Sequence, residues 1–273
     1  MLLLSNRLNL GLKMDRILLF IPMYNCANQI VRVLSSLDEN VQKYLTEIIV
    51  VNNLSTDNGE EIVLDFINSN PTLPIHLLRN HKNYGLGGSH KIAFDYAIKN
   101  NFDYIIVLHG DNQGHIEDLV PYLENKDYKF YDCFLGARFM KGSKLEGYSL
   151  FRTFGNIVYN FLFSIATFKP IYDLGSGLNM YSVKIFKNKF YEKYYDNLMF
   201  NYCMILGSFY YKHKTKFFPI RWSEDDQVSN VKLVSQAYKV LALLFTFVIN
   251  RKMFLNNDYR TNKNYTYQAE VIK

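Results

Sequence analysis

Cysteine is scarce and unpaired in this chain. The three residues, Cys26, Cys133 and Cys203, lie far apart, are odd in number and form no CxxC pair. That pattern excludes a disulfide framework and a structural zinc site, and predicts reduced thiols in the cytoplasm. Long apolar runs are also missing. The longest candidates, Val240–Ile249 and the Tyr159–Phe168 region, fall short of the roughly 18 residues that suggest a spanning helix. The N-terminal segment MLLLSNRLNLGLK starts apolar but is soon broken by charge and Asn, so it lacks the long core and cleavage site of a signal peptide. No stripe of Lys and Arg marks a nucleic-acid reader, and no partner of that kind is expected.

What is present suits a large folded domain. The chain has 273 residues, 49% of them hydrophobic and 16% aromatic, with a net charge of +6. A modest positive excess suits anionic substrates or an anionic membrane surface. The first 13 residues read as an extension before Met14. Residues 14–250 read as one domain in two halves, 14–140 and 141–250. The tail 251–273 is polar and is expected to be loosely ordered.

Strand and helix signals alternate along the first half. Strands are predicted at Ile17–Pro22, Glu47–Val51, Ile75–Arg79, Tyr104–Leu108 and Cys133–Arg138. Helices are predicted from Asn28 to Leu37, after Asp57, from Gly85 to about Lys99, and from about Ile116 to Leu123. These connection lengths are those of βαβ units, so the fold class is α/β, with a mostly parallel sheet covered on both faces. Beyond Arg138 a long apolar helix is predicted over Leu150–Phe168. A strand follows the glycine-broken DLGSGLNMYS, another covers Phe217–Trp222, and a last helix spans Val231–Ile249. The Leu150–Phe168 helix is apolar on most faces, which fits either a core or a membrane interface.

Two strands stop at similar polar loops, where an open α/β sheet binds ligands. The first carries Asn52, Asn53 and Asp57. Capping of the next helix and reading of a base and ribose both fit these residues. The second, HGDNQ, carries His109, Asp111 and Gln113. Asp111 and the Gln113 carbonyl are hard oxygen ligands suited to a divalent ion on a diphosphate. A helix cap is the simpler role for Asp111, and an ordinary polar role is open to His109. Gly85, Gly87 and Gly88 start a helix and suit either a tight turn or backbone contact with phosphate, with Arg79 and Lys82 upstream adding charge. In WSEDDQVSN, Asp225 or Asp226 could act as a general base and Trp222 could pack on an acceptor. A solvated acidic loop is the plainer reading.

The order of these motifs resembles the family 2 glycosyltransferases of GT-A fold, and within them the polyprenyl-phosphate sugar transferases. IPMYNCANQI, VVNNLSTD, NYGLGGSHKIAFDYA, LHGDNQ, GARF, RTFGN and DLGSGLNMYS match successive family segments, from about Ile17 to Phe245. The resemblance implies transfer of a sugar from a nucleotide-diphosphate donor to a polyprenyl-phosphate or glycan acceptor, in polysaccharide or glycolipid synthesis. It implies an inverting, metal-assisted reaction with Mg²⁺ or Mn²⁺, on a protein in the cytoplasm or peripheral on the inner membrane face. By position, Pro22, Tyr24, Asn25, Asn53 and Asp57 would line the nucleotide pocket, with Gly85, Gly87 and Gly88 nearby. His109, Asp111 and Gln113 would hold the metal, and Asp173 and Ser176 would lie near sugar and acceptor. Three positions depart from the family. Asn52 and Asn53 stand where Asp is usual, and an amide can donate as well as accept, which leaves the base open. His109 replaces the first Asp of the metal triplet and favours a softer ion such as Mn²⁺. A nucleotidyltransferase, and a relative that binds without turnover, remain as other readings.

Overall fold

Seven consecutive side chains of the first strand, ILLFIPM, are buried. A strand sends alternate residues to opposite faces, so this one strand feeds two cores. Leu18 and Phe20 enter one core, while Ile17, Leu19, Ile21 and Met23 enter the other. This is the signature of a central strand covered on both sides.

A computed structural model describes residues 14–224 and 233–273. The strands are β1 (Ile17–Met23), β2 (Glu47–Asn52), β3 (Ile75–Asn80), β4 (Tyr104–Leu108), β5 (Cys133–Ala137), β6 (Lys144–Glu146), β7 (Leu178–Ser182), β8 (Thr215–Pro219), β9 (Arg221–Ser223) and β10 (Ala269–Val271). The α-helices are α1 (Ala27–Ser35), α2 (Glu39–Gln42), α3 (Gly59–Ser69), α4 (Gly85–Lys99), α5 (Val120–Glu124), α6 (Leu150–Thr167), α7 (Met199–Tyr210), α8 (Leu233–Ile249) and α9 (Arg251–Asn256). The main sheet runs β10-β3-β2-β1-β4-β7-β5-β8, and β6 pairs with β9 apart from it.

The first four strands pair in parallel, as the alternation predicts. The second half departs from that rule. β7 inserts antiparallel between β4 and β5, so β4 and β5 are not neighbours. The segment expected as one strand over Phe217–Trp222 breaks at Ile220 into β8 and β9, which join different sheets. Helices α1 and α3 cover one face through Ile30, Val33, Leu34 and Val63. Helices α4, α6, α7 and α8 cover the other through residues such as Phe94, Phe163, Phe200 and Leu243.

The tail is ordered, contrary to the expectation from its polar composition. Helix α9 buries Phe254, and β10 pairs antiparallel with the edge strand β3, Glu270 opposite Arg79. Tyrosine explains the difference. Tyr265 and Tyr267 pack their rings on Tyr84, and the Tyr267 hydroxyl donates to Asp196 at 2.5 Å. Asp196 also accepts from the buried Lys91 at 2.7 Å. Breaking a buried pair of this kind typically costs 3–5 kcal/mol, and the tail lies across it as a strap that adds the Tyr267 hydroxyl to both partners.

Candidate functional site

The loops after β1, β2 and β4 meet at one edge of the sheet because those strands are neighbours. The Gly110 N–H reaches the Pro22 carbonyl at 3.2 Å, joining the loop after β4 to the end of β1. The Asn25 side chain accepts from the Thr56 N–H at 2.7 Å, joining the loops after β1 and β2. Tyr24 stands half exposed at this edge.

The polar groups of the first loop are engaged within the protein. Asn53 is buried; its Nδ2 donates to Asn83 at 2.8 Å. Its Oδ1 accepts from Asn80 at 2.9 Å and from the Tyr84 N–H at 2.8 Å. Asn52 donates to Glu60 at 2.6 Å and accepts from the Ser55 N–H at 2.8 Å. Asp57 accepts from the Ala27 N–H at 2.8 Å and the Gly59 N–H at 3.1 Å, so its carboxylate holds the starts of α1 and α3 together. Both amides brace the loop; the Asn53 carbonyl oxygen accepts twice, and its NH2 spends one of its two N–H groups on Asn83.

The glycines after β3 also differ from expectation. A Cβ at Gly87 would lie 2.2 Å from the Tyr195 carbonyl, and one at Gly85, whose φ is +69°, would lie 2.4 Å from that of Asp196. The Gly87 N–H donates to Asp196 O, and the Gly85 N–H to Asn83. A Cβ at Gly88 would strike Tyr84. These glycines let α4 start hard against the 195–196 backbone, and the Gly85 and Gly87 amides are not free for phosphate. Arg79 pairs with Glu60 and Glu270, so its charge is engaged too.

The second loop is organised differently. Burial pushes the Asp111 carboxyl up from 3.8 to about 6; the Gln113 N–H and Arg138 pull it down, and Glu224 adds to the rise. It accepts a hydrogen bond from the Gln113 N–H at 3.3 Å. The Gln113 side chain donates to Glu224 at 3.3 Å, and the other Glu224 oxygen receives Arg152 Nη1 at 2.6 Å. The Ser223 N–H caps the Gln113 carbonyl at 3.0 Å. The loop after β9 is thus tied to the loop after β4 across 111 residues of sequence.

His109 is placed by a close approach. Gly177 lies so near that a Cβ there would sit 3.0 Å from the imidazole. The His109 Nε2 is sealed from water and has no hydrogen-bond partner. Burial, with Arg138 nearby, lowers its pKa to about 4, so the ring is neutral at pH 7.

Asp173 and Ser176 are braces in this arrangement. Asp173 accepts two guanidinium hydrogen bonds from Arg138, both at 2.8 Å, and also the Arg138 N–H. Burial works against the Arg138 charge, but the Asp173 carboxylate more than offsets it and keeps the guanidinium charged. The Ser176 hydroxyl donates to Gly136 O at 2.7 Å. Trp222 is buried with its ring against Arg138, 4.8 Å away, so it presents no open face to an acceptor. Asp225 and Asp226 lie outside the described residues. The sequence reading missed Glu224 and Arg138 as site residues and gave Arg152 no role. Only GARF, RTFGN and the acidic run hinted at them.

No group of three or more His, Cys, Asp or Glu side chains able to hold an ion occurs among the described residues. The donors present still fit a hard divalent ion that is held largely by phosphate oxygens. Such ions often take only one or two carboxylates from the protein. Asp111 supplies a carboxylate whose burial outweighs the groups that favour its charge, and the Gln113 Oε1 is available because Nε2 makes the bond to Glu224.

The family model described as "Glycosyl transferase family 2" matches residues 19–190. The chain belongs to glycosyl transferase family 2. A dolichol-phosphate mannosyltransferase from Pyrococcus furiosus is 26% identical over 137 residues, covering 50% of this chain and 37% of that relative. This chain therefore matches well under half of that protein's length. Among solved structures, S. aureus TarS 1-349 in complex with UDP-GlcNAc aligns with a TM-score of 0.57 at 17% identity, covering 86% of this chain and 67% of that one. The mannosyltransferase PcManGT from Pyrobaculum calidifontis, in complex with GDP-Man and Mn²⁺, aligns at 0.54 with 15% identity over 85% and 62%. Glucosyl-3-phosphoglycerate synthase from Mycobacterium tuberculosis, with UDP, aligns at 0.58 with 11% identity over 94% and 87%. At these identities the likeness concerns the fold, which is GT-A.

Proposed function

We propose that this family 2 chain transfers a sugar from a nucleoside-diphosphate donor to a polyprenyl-phosphate or glycan acceptor, with inversion. The observation that carries the reading is the placement of Asp111 just after central strand β4, where its carboxylate meets Gln113 and the Glu224–Arg152 pair that holds Gln113. The donor diphosphate would lie against this loop, with its nucleoside toward Tyr24 and Asn25. A divalent ion, when bound, supplies positive charge to the leaving diphosphate. Asp111 and the Gln113 Oε1 would hold it. Glu224 keeps Gln113 turned the right way, and Arg152 keeps Glu224 in place.

In the reaction an acceptor oxygen attacks the anomeric carbon in line as the bond to the diphosphate oxygen breaks. The leaving group departs with the electron pair. A phosphate acceptor is already ionised and needs no base. A hydroxyl acceptor needs a carboxylate to take its proton, and Glu224 is the described one beside Gln113.

The test is release of nucleoside diphosphate from a panel of UDP- and GDP-sugars, with polyprenyl phosphate and with glycan acceptors in separate arms. Acceptor-dependent release that Asp111→Asn abolishes supports the proposal, and the responding arm names the acceptor. Release of pyrophosphate would instead mark a nucleotidyltransferase. Nucleotide binding with no transfer in either arm would favour the non-catalytic reading, which the sealed His109 in place of a carboxylate supports.

A further inference from the structure

Helix α6 leaves a full-length apolar stripe in water. Leu150, Phe151, Phe154, Phe161, Ile165 and Phe168 recur at helical spacing, and Leu150, Phe151 and Phe168 are 86%, 75% and 83% exposed. Helix α8 packs beside α6 and carries its own exposed stripe of Tyr238, Leu241, Phe245, Val248 and Ile249. A hydrogen bond ties the two helices at one end, and at the other the start of α6 holds the acidic loop. Arg152 near the start of α6 holds Glu224, which lies shortly before α8 in the chain. Arg251, just after α8, reaches the Ala166 carbonyl at the end of α6. Monomeric proteins rarely expose so much contiguous apolar surface without a partner.

Charge says which partner. Residues 148–172 and 233–257, which contain α6, α8 and α9, hold no Asp or Glu, and hold Arg152, Lys169, Lys239, Arg251 and Lys252. Lys169, Lys239 and Lys252 meet no carboxylate among the described residues. A second copy docked on this face through a two-fold axis would set these cations against themselves, because such an interface uses the same patch twice. An anionic bilayer satisfies both features. Amphipathic helices with aromatic and aliphatic stripes lie in its interface, and flanking Lys and Arg meet acidic headgroups. No helix among the described residues is long and apolar enough to cross a membrane.

We propose that the α6–α8 face seats the protein on an anionic phospholipid bilayer. The same α6 that lies on the lipid carries Arg152 at its first turn, beside Gln113 and Glu224. Seating therefore brings the site to acceptors borne by the membrane; this last clause rests on the proposed function, whereas the seating itself does not.

The experiment is flotation of the full chain with phosphatidylglycerol–phosphatidylcholine vesicles and with phosphatidylcholine vesicles, and no donor. Binding to the anionic vesicles that weakens in high salt is expected. The triple variant Phe151→Ser, Phe154→Ser, Phe161→Ser should lose at least about a hundredfold in partitioning. Lys169→Gln with Lys252→Gln should lose roughly fivefold per residue. All these positions are exposed, so unchanged thermal unfolding of the variants checks their fold. Three results overturn the proposal: wild type that stays unbound on anionic vesicles at low salt, binding that the serine variants retain, or a dimer in sedimentation that the serine variants dissolve while vesicles capture nothing. Nucleoside-diphosphate binding measured without lipid tests the donor site separately, so either reading can fail while the other stands.

Discussion

The loops after β2 and β4 share one sequence pattern and differ in kind. Both end a buried strand, carry small polar side chains and lie at the same sheet edge. In the loop after β2, Asn52, Asn53 and Asp57 find their partners inside the protein. In the loop after β4, Asp111 keeps a charge that burial opposes, and the His109 Nε2 is sealed without a partner. A satisfied polar cluster is architecture. An unsatisfied one costs stability and is where a ligand can act. The contrast supports the proposal that one loop braces the fold and the other carries the chemistry.

Substitutions can break this contrast. The largest effect expected is on catalysis at the loop after β4. Asp111→Asn keeps the shape and removes the charge, and transfer should fall by roughly a thousandfold in a steady-state assay, the upper range for one electrostatic group. Truncation in the loop after β2 should act on stability alone. Asn53→Ala leaves the partners from Asn80, Asn83 and Tyr84 unmatched and should cost about 3 kcal/mol in denaturant unfolding. Any loss of transfer there should track the unfolded fraction.

Asp111 also gives a pH signature. Its folded pKa lies above the unfolded value, so the folded state binds the proton more tightly. The stability this gives is present below about pH 4 and is lost as pH rises through about 6. By linkage Asp111→Asn should stabilise the free protein by roughly 1–3 kcal/mol at pH 7, a gain that vanishes near pH 4. Unfolding curves at the two pH values check it. The smallest effect belongs to the strap. Tyr267→Phe removes the hydroxyl from Asp196 and Lys91 and should cost about 1 kcal/mol, with transfer unchanged.

How much of this was legible in the sequence depends on distance along the chain. Helix α4 and strand β4 run over the residues that periodicity alone predicts, because that signal is local. The seat of β7 between β4 and β5 was not legible, since strand order depends on contacts that no local pattern encodes. The site divides in the same way. Asp111 and Gln113 stood out because they follow a recognisable strand. Their neighbours Glu224 and Arg152 come from 111 and 39 residues beyond Gln113, and only folding makes them neighbours. The bracing role of Asn53 was hidden for the same reason, because Asn80, Asn83 and Tyr84 belong to the next strand and loop. The polar tail misled because composition weighs tyrosine as partly polar, while its rings here pack on one another.

The most direct test of the contrast is thermal unfolding of the wild type and of Asp111→Asn with UDP and GDP, each with Mn²⁺, Mg²⁺ or neither. The account predicts that one nucleotide raises the wild-type midpoint only when a metal is present, by an amount equivalent to about 2.7 kcal/mol at a hundred times its dissociation constant. The variant, already more stable at pH 7, should gain little. An equal shift in both proteins, or none with any pairing, would contradict the assignment of the chemistry to the loop after β4.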